Sequence, residues 1–301
     1  MNIAIDTDPG HDDALAILFA LAHDDITVEQ ITTVAGNATL ENTTKNAGTI
    51  LALAERSDIP LAAGCDRPLD RALETAQVHG DDGLDGLDRE IDPVPAEKNG
   101  IEALASTAAT GATIITLGPL TNIATAIDQY PAQMQQAQEI ISMGGALTSP
   151  GNQNRVAEYN LYVDPDAAAT VIESEIKTTL VPLDPCNDIM FRPADIEDLE
   201  DATIGRDLRS MLEAYHANIN RFLDVDGALL YDAAAMFTLV GDDHIEKEPH
   251  DIVVETEGTY TRGMLVPEQR PYVDPEHNTD IVTRIDTKPC EQTLKQTLRR
   301  C

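Results

Sequence analysis

The chain has 301 residues, 42% of them hydrophobic, with 53 acidic against 20 basic side chains and a formal net charge of -33. That much apolar material can bury a sizeable core, and so negative a surface repels nucleic acid and anionic membranes, which excludes both as partners. No apolar run nears the ~20 residues of a membrane span, no basic leader opens the chain, and Cys65, Cys186, Cys290 and Cys301 show no C-x-x-C spacing, so a soluble cytoplasmic protein with reduced thiols is expected.

Strand-length apolar runs alternate with helical periodicity. Strands are predicted at Asn2–Asp6, Thr27–Val34, Pro60–Gly64, Thr113–Leu117, Glu139–Met143 and Thr178–Pro182, and helices near Asp12–His23, Leu40–Arg56, Ile101–Thr110, Thr121–Tyr130 and Ala167–Glu173. This rhythm predicts an α/β fold: a single domain over 1–301 with an open, mostly parallel (mixed) sheet and helices on both faces. Further on, Ile204–Asp224 reads as an amphipathic helix and Ala228–Val240 as a buried, nearly all-apolar one. Ile252–Glu257 and Arg262–Val266 read as a hairpin around Gly258, and Cys290–Arg300 as a terminal helix. Residues 65–99 and 146–160 are too long for plain connections and are predicted to be active-site loops. The first carries His79-Gly80-Asp81-Asp82-Gly83-Leu84-Asp85-Gly86, a candidate lid or rim.

The chemistry is concentrated at the start, in Asp6-Thr7-Asp8-Pro9-Gly10-His11-Asp12-Asp13. Like charges this close repel unless a cation sits among them. A strand that ends in carboxylates and turns on Pro9-Gly10 into a helix places them at the carboxyl edge of a sheet, where open α/β folds bind ligands. Asp8 and Asp13 flank the turn and can converge on one hard cation; Ca²⁺ takes about six to eight oxygens. Helix capping accounts for Asp12 or Asp13 but not for Asp6 and Asp8 as well. Asp232 sits in the apolar run Leu229-Leu230-Tyr231-Asp232-Ala233; a buried carboxylate there needs a cation or a strong donor.

The opening motif resembles the signature of the inosine-uridine nucleoside hydrolases, calcium-dependent N-ribohydrolases. Thr32-Thr33-Val34-Ala35-Gly36-Asn37, Ala62-Ala63-Gly64-Cys65-Asp66, Leu117-Gly118-Pro119-Leu120-Thr121-Asn122, Met143-Gly144-Gly145 and Val156-Ala157-Glu158-Tyr159-Asn160 resemble further family motifs in family order. The resemblance implies the nucleoside hydrolase (Rossmann-like) fold and hydrolysis of ribonucleosides to free base and ribose. It implies Ca²⁺ as cofactor, held by Asp8, Asp13, the Leu117 carbonyl and Asp232, with Asp8 also taking a proton from a calcium-held water. Asp12, Asn37, Asn152, Glu158 and Asn160 would form a polar ring for the ribose hydroxyls. Glu158 and Asn160 project to one side of an extended segment, although each Asn taken singly is a common turn residue. The sugar would pass through an oxocarbenium-like state. A homodimer or homotetramer is implied as well.

One position departs from the family pattern. Better-known members carry a histidine immediately before the last calcium aspartate, and here that residue is Tyr231. A phenol with an ordinary pKa of about 10 is a poorer acid than imidazolium. Three readings stay open: Tyr231 is itself the donor to the leaving base, His79 or His216 has taken over, or the base differs from the usual purines. His79 matches a family histidine bordering the base and is the preferred candidate. The face carrying Tyr215, His216, Ile219, Asn220 and Phe222 reads mostly as core, with a base contact from His216 or Asn220 left open. Two other classes compete. A haloacid-dehalogenase-like phosphatase also ends its first strand in D-x-D, with the first aspartate as nucleophile. A calcium-dependent nucleoside-binding homologue could have lost turnover through the change at Tyr231. Scarce lysine and dominant acid point to a halophilic host; an acidic mesophilic enzyme would share the composition.

Overall fold

Six parallel strands form the body of the sheet: β1 (Asn2–Thr7), β2 (Thr27–Thr33), β3 (Leu61–Ala63), β4 (Thr113–Thr116), β5 (Ile140–Met143) and β6 (Thr178–Val181). In the computed structural model, which describes residues 1–76, 78–80, 82–87, 90–199 and 203–301, six shorter or later strands follow. They are β7 (Met190–Phe191), β8 (Ala228–Leu229), β9 (Ile245–His250), β10 (Ile252–Val254), β11 (Leu265–Pro267) and β12 (Thr279–Ile285). The main sheet has eight strands in the order β3-β2-β1-β4-β5-β6-β12-β9. Only the edge pair β12–β9 is antiparallel within it. The chain builds outward from β1 to β3, then crosses back and grows on the other side through β4. The crevice at that reversal, beyond the carboxyl ends of β1 and β4, is where such sheets take ligands.

Helices cover both faces, as the rhythm predicts. Adjacent strand residues split between two apolar layers: Ile115, Ile141, Val181 and Val282 join the helices His11–Ala22, Gly205–Ile219 and Tyr231–Phe237. Their neighbours Ile114, Ile140, Leu180 and Ile281 join the helices Gly100–Ala108, Thr121–Gln129 and Pro165–Ile172. Strands buried on both faces read as continuous apolar runs, which is why β1, β4, β5 and β6 are legible. No helix among the described residues is long and apolar enough to cross a membrane.

Several elements differ from expectation. The apolar run Ala228–Val240 divides into β8, paired with β7, and a helix confined to Tyr231–Phe237. Two buried elements in succession leave no periodicity to separate them, and the division moves Asp232 into the first helical turn. The long helix ends at Ile219, where Asn220 caps it, rather than at Asp224. Strands β9 and β12 are absent from the sequence reading; β9 is the polar, largely exposed edge segment Ile-Glu-Lys-Glu-Pro-His, and charge on an edge strand blocks further pairing. The hairpin near Gly258 forms as β10–β11 with shorter arms. Asp81 of the acidic loop lies outside the described residues.

Candidate active site

The last residues of β1 diverge in role. Asp6 accepts hydrogen bonds from Thr32 Oγ1 (2.5 Å) and Asn122 Nδ2 (2.7 Å), and burial pushes its carboxyl up to about 7. Its Oδ1 joins β1, β2 and the helix Thr121–Gln129, its Oδ2 is buried without a hydrogen-bond partner, and it does not line the cavity. That placement removes the nucleophile a D-x-D phosphatase would need. Asp8 occupies a slot defined by two missing side chains: a Cβ on Gly36 would lie 2.1 Å from its Oδ2, and one on Gly118 2.5 Å from its Oδ1. The Asn37 N–H donates to Asp8 Oδ2 at 2.6 Å.

Asp13 is held by three donors: the Thr7 hydroxyl (2.5 Å), the Gly10 N–H (2.9 Å) and the Asn37 side-chain amide (3.3 Å). Asp12 and Asp13 lie in the first turn of His11–Ala22, and Asp232 in the first turn of Tyr231–Phe237. The N-terminal ends of both helices favour negative charge. One oxygen from each of these three buried carboxylates falls within 4.8 Å of the others. Burial, reinforced by mutual repulsion, pushes Asp8, Asp12 and Asp232 well above the carboxylate range. Asp12 Oδ1 is buried without a hydrogen-bond partner. The Asp12, Asp13 and Asp232 carboxylates form an all-oxygen donor set, which suits a hard divalent ion and not a thiolate- or imidazole-seeking metal.

Above this cluster opens a cavity of about 490 Å³. Its lining divides by chemistry. A polar floor consists of Asp12, Asn37, Leu117, Glu158, Asn160 and Asp232, and a largely aromatic and apolar wall of His79, Tyr215, Ile219, Leu223 and Tyr231; Asn152 enters from the 146–160 loop. Glu158 caps the helix Tyr159–Val163, accepting from the backbone N–H groups of Asn160 (2.9 Å), Gly145 (3.1 Å) and Leu161 (3.3 Å), while burial raises it to about 7. The Asn160 amide nitrogen donates to the carbonyls of Leu117 (2.7 Å) and Met143 (3.1 Å), so its side-chain oxygen is the atom able to meet a ligand. The 146–160 loop is pinned by Asp184, whose carboxylate accepts from the N–H groups of Leu147 (2.8 Å), Thr148 (2.7 Å) and Ser149 (2.8 Å).

Every predicted site residue thus lines the cavity except Asp8 and Asp13, which are buried. His216 and Asn220 do not. His216 Nε2 bonds the Val225 carbonyl (3.1 Å) and Asn220 Oδ1 accepts from the Val225 N–H (3.2 Å), so both shape the turn after the long helix. Tyr215 and Ile219, spaced i and i+4, are the residues that helix presents to the cavity. His79 is buried, its Nε2 3.8 Å from Asp12 Oδ1, and desolvation together with nearby His11 holds it well below the usual histidine value. The Tyr231 hydroxyl stands 3.5 Å from Asn187 Oδ1, and burial pushes its pKa up. At neutral pH both therefore offer an N–H or O–H as neutral hydrogen-bond donors.

A doubly covered parallel sheet with a buried oxygen-donor cluster at its switch point defines an α/β enzyme with a site suited to a hard cation. The family model described as inosine-uridine preferring nucleoside hydrolase matches residues 3–292, and the chain belongs to that family. It is 36% identical over 309 aligned positions to a pyrimidine-specific ribonucleoside hydrolase, RihA, of Klebsiella pneumoniae, covering 99% of this chain and 98% of the relative. Among solved structures it superposes on a plant nucleoside hydrolase (PpNRh1) with a TM-score of 0.92 at 29% identity, covering 99% of this chain and 98% of that one. A purine-preferring ribonucleoside hydrolase from Gardnerella vaginalis superposes with a TM-score of 0.91 at 25% identity and the same coverage. The activity is that of a nucleoside hydrolase.

Proposed function

We propose that the protein hydrolyses the N-glycosidic bond of ribonucleosides on a bound Ca²⁺, with Asp8 as general base. The observation that carries this reading is the convergence of Asp12, Asp13 and Asp232, with Asp8 near enough to feel the charges of Asp13 and Asp12. Asp8, Asp13, Asp232 and the Leu117 carbonyl would hold the ion, which when bound would anchor the ribose hydroxyls and acidify a water. Asp8, fixed in its glycine slot, would accept the proton of an attacking water. Asp12, Asn37, Asn152, Glu158 and Asn160 orient the ribose, and the surrounding acids favour the positive charge of an oxocarbenium-like transition state. His79 and Tyr231 donate hydrogen bonds to the departing base. The 36% identity to a pyrimidine-specific relative favours uridine and cytidine as first substrates.

The same reading takes the protein as one domain that forms a cytoplasmic homodimer or homotetramer. The net charge of -33 supports a high-salt setting, since so acidic a surface needs screening to stay compact. A reducing-sugar assay on uridine, cytidine, inosine and adenosine at high salt tests the proposal. Ribose release is expected with calcium, lost with a chelator and recovered on calcium addition. Absence of ribose from all four with calcium present would reject it.

A further inference from the structure

We infer that His11 is a positioning residue that fastens the His79 loop to the cavity wall and fixes which nitrogen of His79 faces the substrate. The inference rests on the hydrolase reading above and deepens it. His11 is the first residue of the helix that carries Asp12 and Asp13, and it is buried. Its ring lies against two partners: Tyr215, with centroids 5.0 Å apart and planes at 8°, and His79, at 5.6 Å and 23°. His79 and Tyr215 also stack on one another, at 5.2 Å and 17°. Three rings from a helix start, a loop and the long helix thus form one unit.

Both ends of the loop turn are tied to His11. Its Nε2 lies 2.9 Å from the Asp85 carbonyl, which only accepts, so that nitrogen carries the proton. At the other end, the His11 backbone N–H points at His79 Nδ1 across 3.3 Å. His11 Nδ1 lies 3.3 Å from the same nitrogen, so both contacts hold His79 Nδ1 against His11 and turn its Nε2 the other way. Nε2 is the atom near Asp12 Oδ1, on the cavity side. The approach is close enough that a Cβ on Gly10 would stand 2.6 Å from His79 Nδ1. Asn46 adds a second fastening, its amide donating to the carbonyls of Pro9 (3.0 Å) and Asp82 (2.9 Å). The loop therefore docks on the motif that supplies the acids, and the His11 side chain is its anchor on the wall side.

The test compares natural nucleosides with 4-nitrophenyl riboside, whose leaving group departs without a proton. His11→Leu is expected to lower kcat on uridine and inosine by about 10- to 100-fold, the scale of a donor displaced by roughly an ångström. It should leave kcat on nitrophenyl riboside within about threefold of the parental value. In a His79→Ala background His11→Leu should add no further loss, because its effect passes through His79. His11→Gln, which keeps a side-chain N–H for the Asp85 carbonyl, should recover part of the activity; it also carries the test if the leucine variant fails to fold. Equal losses on both substrate types, or losses that add to those of His79→Ala, would overturn the inference. A parental protein inactive on all substrates would overturn the hydrolase reading, and this inference with it.

Discussion

The floor of the cavity takes its groups from places where the backbone leaves little choice: the segments just after β2 and β4 and the starts of three helices. The wall takes its groups from a loop, from one face of the helix Gly205–Ile219 and from the turn beyond it. The acids there are locked by backbone donors, as Glu158 is by three N–H groups and the neighbouring Asp8 by the Asn37 N–H. Wall residues are placed by stacking and side-chain packing, as in the His11–His79–Tyr215 unit. The difference teaches where substitution is costly. A floor residue fails by losing charge or geometry, whereas a wall residue fails selectively, according to what leaves.

The sharpest break in the comparison is Asp8→Asn. It removes the proposed base while keeping the shape, and should lower kcat by roughly 10²- to 10⁴-fold on every substrate, nitrophenyl riboside included. Thermal stability without calcium should hold or rise, since one crowded carboxylate is gone. Tyr231→Phe should act as a wall change. A kcat loss of about tenfold on natural nucleosides, with nitrophenyl riboside spared, is the expected pattern, and equal loss on both would remove Tyr231 from any leaving-group role. The smallest effect concerns the buried acids at rest. Asp6 and Glu158 are each raised to about 7 by burial, from ordinary values of about 4. Between those limits the folded chain binds more protons than the unfolded one, so calcium-free stability should fall as pH rises from about 4 to about 7. Calorimetry with a chelator should show Tm declining across that window, and bound calcium should flatten the trend.

The same division decides what the sequence discloses. The acid motif is legible because Asp8, Asp12 and Asp13 are neighbours in the chain and one tight turn brings them together. Asp232 is legible as a carboxylate in an apolar run, though its place at a helix start emerges only once β8 is seen to pair with β7. The wall is hidden for a physical reason. Tyr215 and Ile219 have the spacing of any buried helix face, and nothing local separates a face that meets a core from one that meets a cavity. His216 and Asn220, more polar and so more suggestive, turn out to secure a turn. The role of His11 is equally silent, because its partners lie 68 and 74 residues away. Strand β9 escapes notice because its sequence is that of a solvated edge.

The slot around Asp8 limits how this fold can change. Gly36 and Gly118 come from loops after different strands, and each lacks a side chain because the carboxylate fills that space. On the proposed reading, diversification toward a new leaving group would proceed through residues such as Ile219, Leu223 and Tyr231, leaving the ribose side fixed. A lineage built this way can alter its diet of bases many times over while never renegotiating its hold on ribose.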